Sequence, residues 1–195
     1  MRQDRKRSVL ERLFTSKVRV RILEYLFFRK NETYIRGISK ELKISSSAVK
    51  REVDNLIEIG LIGKEDNKLI LDKSNSFFND LKNIFLKTDY LVYPIKNALN
   101  KINAKFIFIF GSFAEGKHKL ESDVDLMIIG EVIESKVFEL LKPVERLIER
   151  EINPVVWTLK EFENNKNKGF VKDILKKDKI MIKGDENGLW RTVKC

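Results

Sequence analysis

One cysteine, Cys195, and one histidine, His118, are all the chain has of either residue. A lone cysteine cannot close an internal disulfide, and together they are too few for a structural zinc site. That scarcity excludes a disulfide-stapled secreted scaffold and points to a reducing, cytoplasmic setting. Prolines number three and glycines nine, which argues against collagen-like or low-complexity character. No apolar run reaches the length of a membrane span, and the basic start MRQDRKRSVLERLF leads into no signal-peptide core. A soluble chain without membrane partners is expected.

What is present is a well-balanced globular composition. Of 195 residues, 43% are hydrophobic and 35% charged, enough for one large domain or two small ones. The net charge of +10 is unevenly spread. Residues 1–87 hold 20 Lys and Arg against 12 Asp and Glu, whereas residues 88–195 hold 19 against 17. A basic half joined to a nearly neutral half suggests that the first meets a polyanion.

In that half, Val18, Ile22, Leu23 and Leu26 recur at helical spacing after Ser16. Asn31-Glu32 breaks the pattern, and IRGISKELK predicts a second helix with Ile35, Ile38 and Leu42 on one face. Ser45 or Ser46 is a fitting N-cap for a third, whose inner face would carry Val49, Val53, Leu56 and Ile57 and which Gly60 would close. The short link Lys43-Ile44-Ser45 has helix-turn-helix proportions. Ser46, Ser47, Lys50 and Arg51 then lie near the start of the third helix, where a recognition helix reaches base edges and phosphates of double-stranded DNA. LIGKEDNKLILD reads as a hairpin turning at Asp66-Asn67. This stretch resembles the winged-helix DNA-binding domains of prokaryotic transcription regulators. It implies a winged helix-turn-helix over residues 1–74, followed by a connecting helix over 75–88 with Phe77, Leu81, Ile84 and Phe85 at helical spacing.

Residues 89–195 read as a small α/β (α+β) domain with a mixed β-sheet flanked by helices. KFIFIF has no alternation, which predicts a strand buried on both faces. DVDLMIIG and INPVVWT follow as further strands, and KIMIKG as a short closing one. Helices are expected around YLVYPIKNALNKI, after the Gly111-Ser112 turn, through ESKVFELLKPVERLIERE with a kink or break at Pro143, and on either side of Gly169.

Asp123 and Asp125 sit at i and i+2, so on a strand both carboxylates face one side. Such a pair can share a hard cation such as Mg²⁺, which prefers oxygen ligands and substrate phosphates. Gly111 lets backbone approach a phosphate closely, and the Ser112 hydroxyl can donate to it. Gly111-Ser112 followed by Asp123-Val124-Asp125 resembles the signature of the nucleotidyltransferase superfamily in its minimal form. The resemblance implies NTP bound as Mg²⁺ complex, with Gly111 and Ser112 on the phosphates and Asp123 and Asp125 as metal-binding and catalytic carboxylates. Active members add a third carboxylate from a later strand. The matching position here is Asn153, with Glu151 one pleat earlier. Glu115 stands where such members often carry a basic residue, and an acid beside a triphosphate is repulsive.

As a whole the chain resembles archaeal-type regulators that fuse these two modules. Three readings follow. The chain is a DNA-binding regulator, expected as a homodimer, whose second domain senses or uses NTP. Alternatively it is an active nucleotidyltransferase acting on a protein or other acceptor, like antitoxin members facing a small helical toxin, or it is an inactive interaction module.

Overall fold

The computed structural model describes residue 10 and residues 13–119 and 122–194. The basic N-terminal run before Leu10 and Cys195 lie outside the described residues. The chain forms two compact units, residues 1–90 and 91–195.

In the first unit, α1 (Lys17–Phe28), α2 (Ile35–Leu42) and α3 (Ser46–Glu58) follow the apolar spacing. Ser16 caps α1 by accepting the Arg19 N–H at 3.2 Å, and Ser45 caps α3. Between α2 and α3, Lys43 takes a left-handed φ of 52°. There the Ile44 N–H donates to Ser39 O at 3.1 Å, and Arg21 Nη2 donates to Leu42 O at 2.6 Å. The sheet has three strands where a two-stranded hairpin was expected. β1 (Glu32–Thr33) pairs antiparallel with β3 (Lys68–Leu71), which also pairs with β2 (Ile62–Glu65). A two-residue strand has no periodicity to detect. It is held by pairing and by the Lys68–Glu32 ion pair at 2.7 Å. Gly37 admits it, since a Cβ there would stand 2.8 Å from Thr33 Oγ1. Asp66 and Asn67, at φ of 44° and 66°, supply the turn geometry that two-residue hairpins favour.

The helix α4 (Phe78–Phe85) is shorter than the apolar spacing implied and passes into a turn of π-helix, Leu86–Tyr90. Phe27 of α1 meets Phe78 and Phe85 edge to face at 5.6 and 5.4 Å.

Glu52 is a residue that the periodicity placed on no list. It lies on the buried stripe of α3, 4% exposed, between Val49 and Leu56. Ser16 Oγ donates to its Oε1 at 2.8 Å and Arg19 Nε to its Oε2 at 3.0 Å, which ties α3 to the start of α1. Burial would raise this carboxyl. The Ser16 hydrogen bond and the charge and hydrogen bond of Arg19 outweigh that, holding it below the ordinary carboxylate range. Glu52→Gln is expected to lower the unfolding free energy of this unit by about 2 kcal/mol at neutral pH, Arg19 being part-exposed. Because the folded pKa is depressed, the difference should vanish as pH falls through it. Urea titrations followed by circular dichroism at neutral and acid pH measure both.

In the second unit the sheet order is β6-β5-β4-β7. β4 (Ala104–Phe110) runs antiparallel to β5 (Val124–Gly130) and to β7 (Ile180–Lys183), and β6 (Ile152–Trp157) runs parallel to β5. The sheet is therefore mixed. Phe106, Ile107, Phe108 and Ile109 are all buried, as an unalternating apolar run demands. Pro154 is tolerated because β6 is an edge strand.

Helices α5 (Val92–Ala98), α6 (Glu134–Ile148), α7 (Leu159–Asn164), α8 (Gly169–Lys176) and α9 (Glu186–Lys194) complete the unit. Phe162, Val171 and Leu189 share a core with Phe108 and Met127 on one sheet face.

Three expectations need correction. Pro143 does not break α6, because it and Glu139, whose carbonyl it leaves unbonded, both lie on the exposed side, where water can serve. No helix opens after Gly111-Ser112. Residues 111–116 make a single turn that closes at once, with Gly116 N–H on Phe113 O at 3.4 Å and Lys117 N–H on Ser112 O at 2.9 Å. Gly116, at φ +70°, ends it as a left-handed cap does. The helix α9 was unexpected, since Gly188 weakens any helical reading. Asp185 Oδ1 accepts the Gly188 N–H at 2.7 Å at its start, and fully buried Leu189 anchors it.

Candidate functional site

β4 and β5 deliver the Gly-Ser turn and the two aspartates to the same end of the sheet. In the ladder Phe110 stands opposite Asp125, so Gly111 leaves β4 beside that carboxylate. Gly111 has φ +70°, and a Cβ at this position would collide with Oδ2 of Asp125. Glycine is thus required twice, by backbone conformation and by the approach of the carboxylate. Asp125 is half-buried and Asp123 exposed. Burial, and next the charge of Asp123, push the Asp125 carboxyl above its ordinary value. A carboxylate whose charge is disfavoured by burial and by a neighbouring acid is a setting that a cation relieves.

On the other side of Asp125, β6 places Asn153 directly alongside in parallel register, and Val124 N–H donates to Glu151 O at 2.9 Å. Asn153 and Glu151 are both exposed and of like strand parity. Among the described residues no group of three or more His, Cys, Asp and Glu side chains could hold a metal ion. The donors gathered here are two carboxylates and one amide carbonyl, all oxygen.

The turn after Gly111 is pinned by Phe113, 1% exposed. His118 stacks on Phe113 at 4.4 Å with 4° between the rings, and the Arg150 guanidinium lies 5.7 Å from its centroid. Arg150 Nη1 also donates to Ser122 O at 3.2 Å, fixing the return into β5. His118 is therefore a packing residue of the turn.

Glu115 is not a bare acid at the turn. Its carboxylate meets Lys117 at 2.8 Å and Lys177 at 3.4 Å. Hydrogen bonds from Lys117 and then Lys177 hold it below the ordinary carboxylate range. Lys177 follows α8, far along the chain, and nothing in local pattern could have linked it to Glu115.

In the first unit, Ser46, Ser47, Lys50 and Arg51 are all exposed at the start of α3. Ser46 Oγ donates to Ser39 Oγ at 3.1 Å, and Ser47 shares a hydrogen bond with Ser45 at 3.3 Å. Arg51 stands 3.6 Å from Glu52 yet keeps 72% of its side chain exposed. The same helix pair also exposes Arg36, Lys40 and Lys43, cations that the sequence reading left unused.

Comparison with known proteins gives two family matches. Residues 94–187 match the model described as Polymerase beta, Nucleotidyltransferase, and residues 3–77 match the Mga helix-turn-helix domain. The chain therefore joins a helix-turn-helix domain to a nucleotidyltransferase domain. A Methanocaldococcus jannaschii protein named "Putative protein adenylyltransferase MJ0604" is 28% identical over 93 residues, 45% of this chain and 93% of its own length. A solved toxin–antitoxin structure with AMP-PNP is 12% identical, covering 53% of this chain and 82% of that one, at a TM-score of 0.39. A mutant of the toxin–antitoxin pair MntA-HpeT is 11% identical, covering 53% and 81%, at 0.38. Among the described residues no helix is long and apolar enough to cross a membrane.

Proposed function

We propose that this chain is a DNA-binding transcription regulator, dimeric and cytoplasmic, whose nucleotidyltransferase domain binds a nucleoside triphosphate together with Mg²⁺. The observation that carries this reading is the packing of the Asp125 carboxylate against Gly111, which joins the Gly-Ser turn and the Asp-x-Asp pair into one site. An all-oxygen donor set with two carboxylates suits Mg²⁺, which is held by one or two carboxylates plus substrate phosphates. Asp123 and Asp125 would hold the ion; when bound it neutralises phosphate charge and polarises a phosphoryl oxygen.

The chain's own residues do the rest. The Ser112 hydroxyl donates to a phosphate oxygen, and Gly111, by admitting the Asp125 carboxylate against the turn, keeps that hydroxyl beside the acids. Asn153, beside Asp125, cannot take a proton from an acceptor hydroxyl near neutral pH. Binding without efficient transfer is the consequence. If the reading holds, the second unit's unfolding temperature rises with ATP and Mg²⁺ together and returns to baseline with EDTA. No rise with any nucleoside triphosphate would overturn it.

A second reading, transfer of AMP from ATP to a protein hydroxyl, such as that of a toxin-like partner, with pyrophosphate leaving as the α–β phosphoanhydride bond breaks, is favoured by the adenylyltransferase relative, nearly all of whose length is matched. Incubation with labelled ATP, Mg²⁺ and candidate acceptor proteins tests it, with no label transferred as the contrary result.

For DNA, Lys50→Ala with Arg51→Ala is expected to weaken duplex binding about tenfold and to reduce the salt slope by about two. Fluorescence anisotropy across a salt series measures both quantities. An unchanged slope would remove α3 from the phosphate contacts.

A further inference from the structure

Glu115 and its two lysines form a cluster that the proposed site does not yet use. The backbone ties it to the Gly-Ser turn at two points. Glu115 N–H donates to Gly111 O at 3.1 Å, and Lys117 N–H donates to Ser112 O at 2.9 Å. Both the acid and one ammonium thus belong to the turn itself.

The second ammonium is brought from α8 by a buried anchor. The Lys179 side chain is only 1% exposed, and its Nζ donates to Ile174 O at 3.1 Å, to Leu175 O at 3.0 Å and to Lys177 O at 2.6 Å. Glu186 at 3.0 Å balances its charge. A buried ammonium capping the end of a helix with this many bonds is costly to move. It fixes the backbone of Lys177, whose side chain then meets Glu115 at 3.4 Å. Lys117 and Lys177 keep 77% and 58% of their side chains exposed, so each ammonium retains donors for another anion. Asp178 also attracts Lys117.

We infer that Glu115 is a positioning residue, holding Lys117 and Lys177 as a paired cationic clamp for the terminal phosphates of the nucleotide bound at Gly111 and Ser112. The inference rests on the nucleotide-binding reading. It reverses the sign expected of an acid at this position. A lone carboxylate would repel a triphosphate, whereas this one holds two cations beside it, and a basic residue at 115 becomes unnecessary.

Calorimetry of the full chain with ATP, ADP and AMP, each with Mg²⁺, tests the clamp. Lys177→Ala is expected to weaken ATP about tenfold, the loss of one charge-assisted contact, and to change AMP by less than about twofold. Lys177→Arg should restore ATP affinity. Glu115→Gln removes a negative charge and is nevertheless expected to weaken ATP several-fold, with AMP again unchanged. Tighter ATP binding by Glu115→Gln would show that repulsion governs and overturn the clamp. Equal losses for ATP and AMP in Lys177→Ala would overturn it too. If the unmodified chain binds none of the three nucleotides, the nucleotide-binding reading fails with it.

Discussion

Replacing both Asp123 and Asp125 by Asn is expected to weaken ATP–Mg²⁺ binding by about a hundredfold or more. Each carboxylate would supply a charge-assisted contact of about 1.5 kcal/mol or more, and among the described residues no group of three or more His, Cys, Asp and Glu could replace them on the ion. Asn keeps an oxygen in nearly the same place, so shape survives and charge does not. The change should have an opposite effect on stability. Asp125 is half-buried, and both burial and the charge of Asp123 disfavour its ionised form. In EDTA at neutral pH, Asp125→Asn alone is therefore expected to raise the unfolding temperature of the second unit. A variant that loses nucleotide while gaining stability would mark a site whose charges serve binding and strain the fold.

The second large effect concerns Asn153, the position proposed for a third carboxylate. Asn153 lies in register beside Asp125 on β6 and is exposed. Asn153→Asp would place a third carboxylate in register beside Asp125, able to accept a proton from an attacking hydroxyl. The expected result is a gain of about a hundredfold in nucleotidyl transfer to whichever acceptor the unmodified chain labels slowly, in keeping with the size of general-base effects. Its carboxylate should also tighten metal binding. Transfer that stays flat while metal binding tightens would mean that acceptor positioning, not the missing base, limits the reaction. Glu151 is the control. It shares the strand parity but stands beyond the strand's start, and Glu151→Gln should leave both quantities nearly unchanged.

The parts of this molecule that could be read from the sequence were those set by local periodicity. Unalternating FIFIF foretold a doubly buried β4, and DVDLMIIG foretold β5, which starts at Val124 with Asp123 just before it and with Asn153 of β6 in register beside Asp125. Asp66-Asn67 announced its own hairpin turn. What stayed hidden depends on contacts distant in sequence or on a single exceptional residue. The strand β1 exists because Glu32 and Thr33 find β3, and two residues carry no period. The expected helix after Gly111 fails because Gly116 caps the turn before a second one forms. Pro143 suggests a kink or break, and that the helix runs on through it depends on an exposure invisible in one dimension. Glu52 could have been found, since three residues after Val49 and four before Leu56 it must share their face. The Glu115–Lys177 contact could not, because only the fold brings α8 to the turn.

Equilibrium dialysis of labelled ATP against the full chain tests the central claim most directly. The account predicts retention with Mg²⁺, loss of that retention in EDTA, and loss again when Asp123 and Asp125 are both Asn. Retention that survives both treatments would place the nucleotide elsewhere, and no retention under any condition would contradict the account outright.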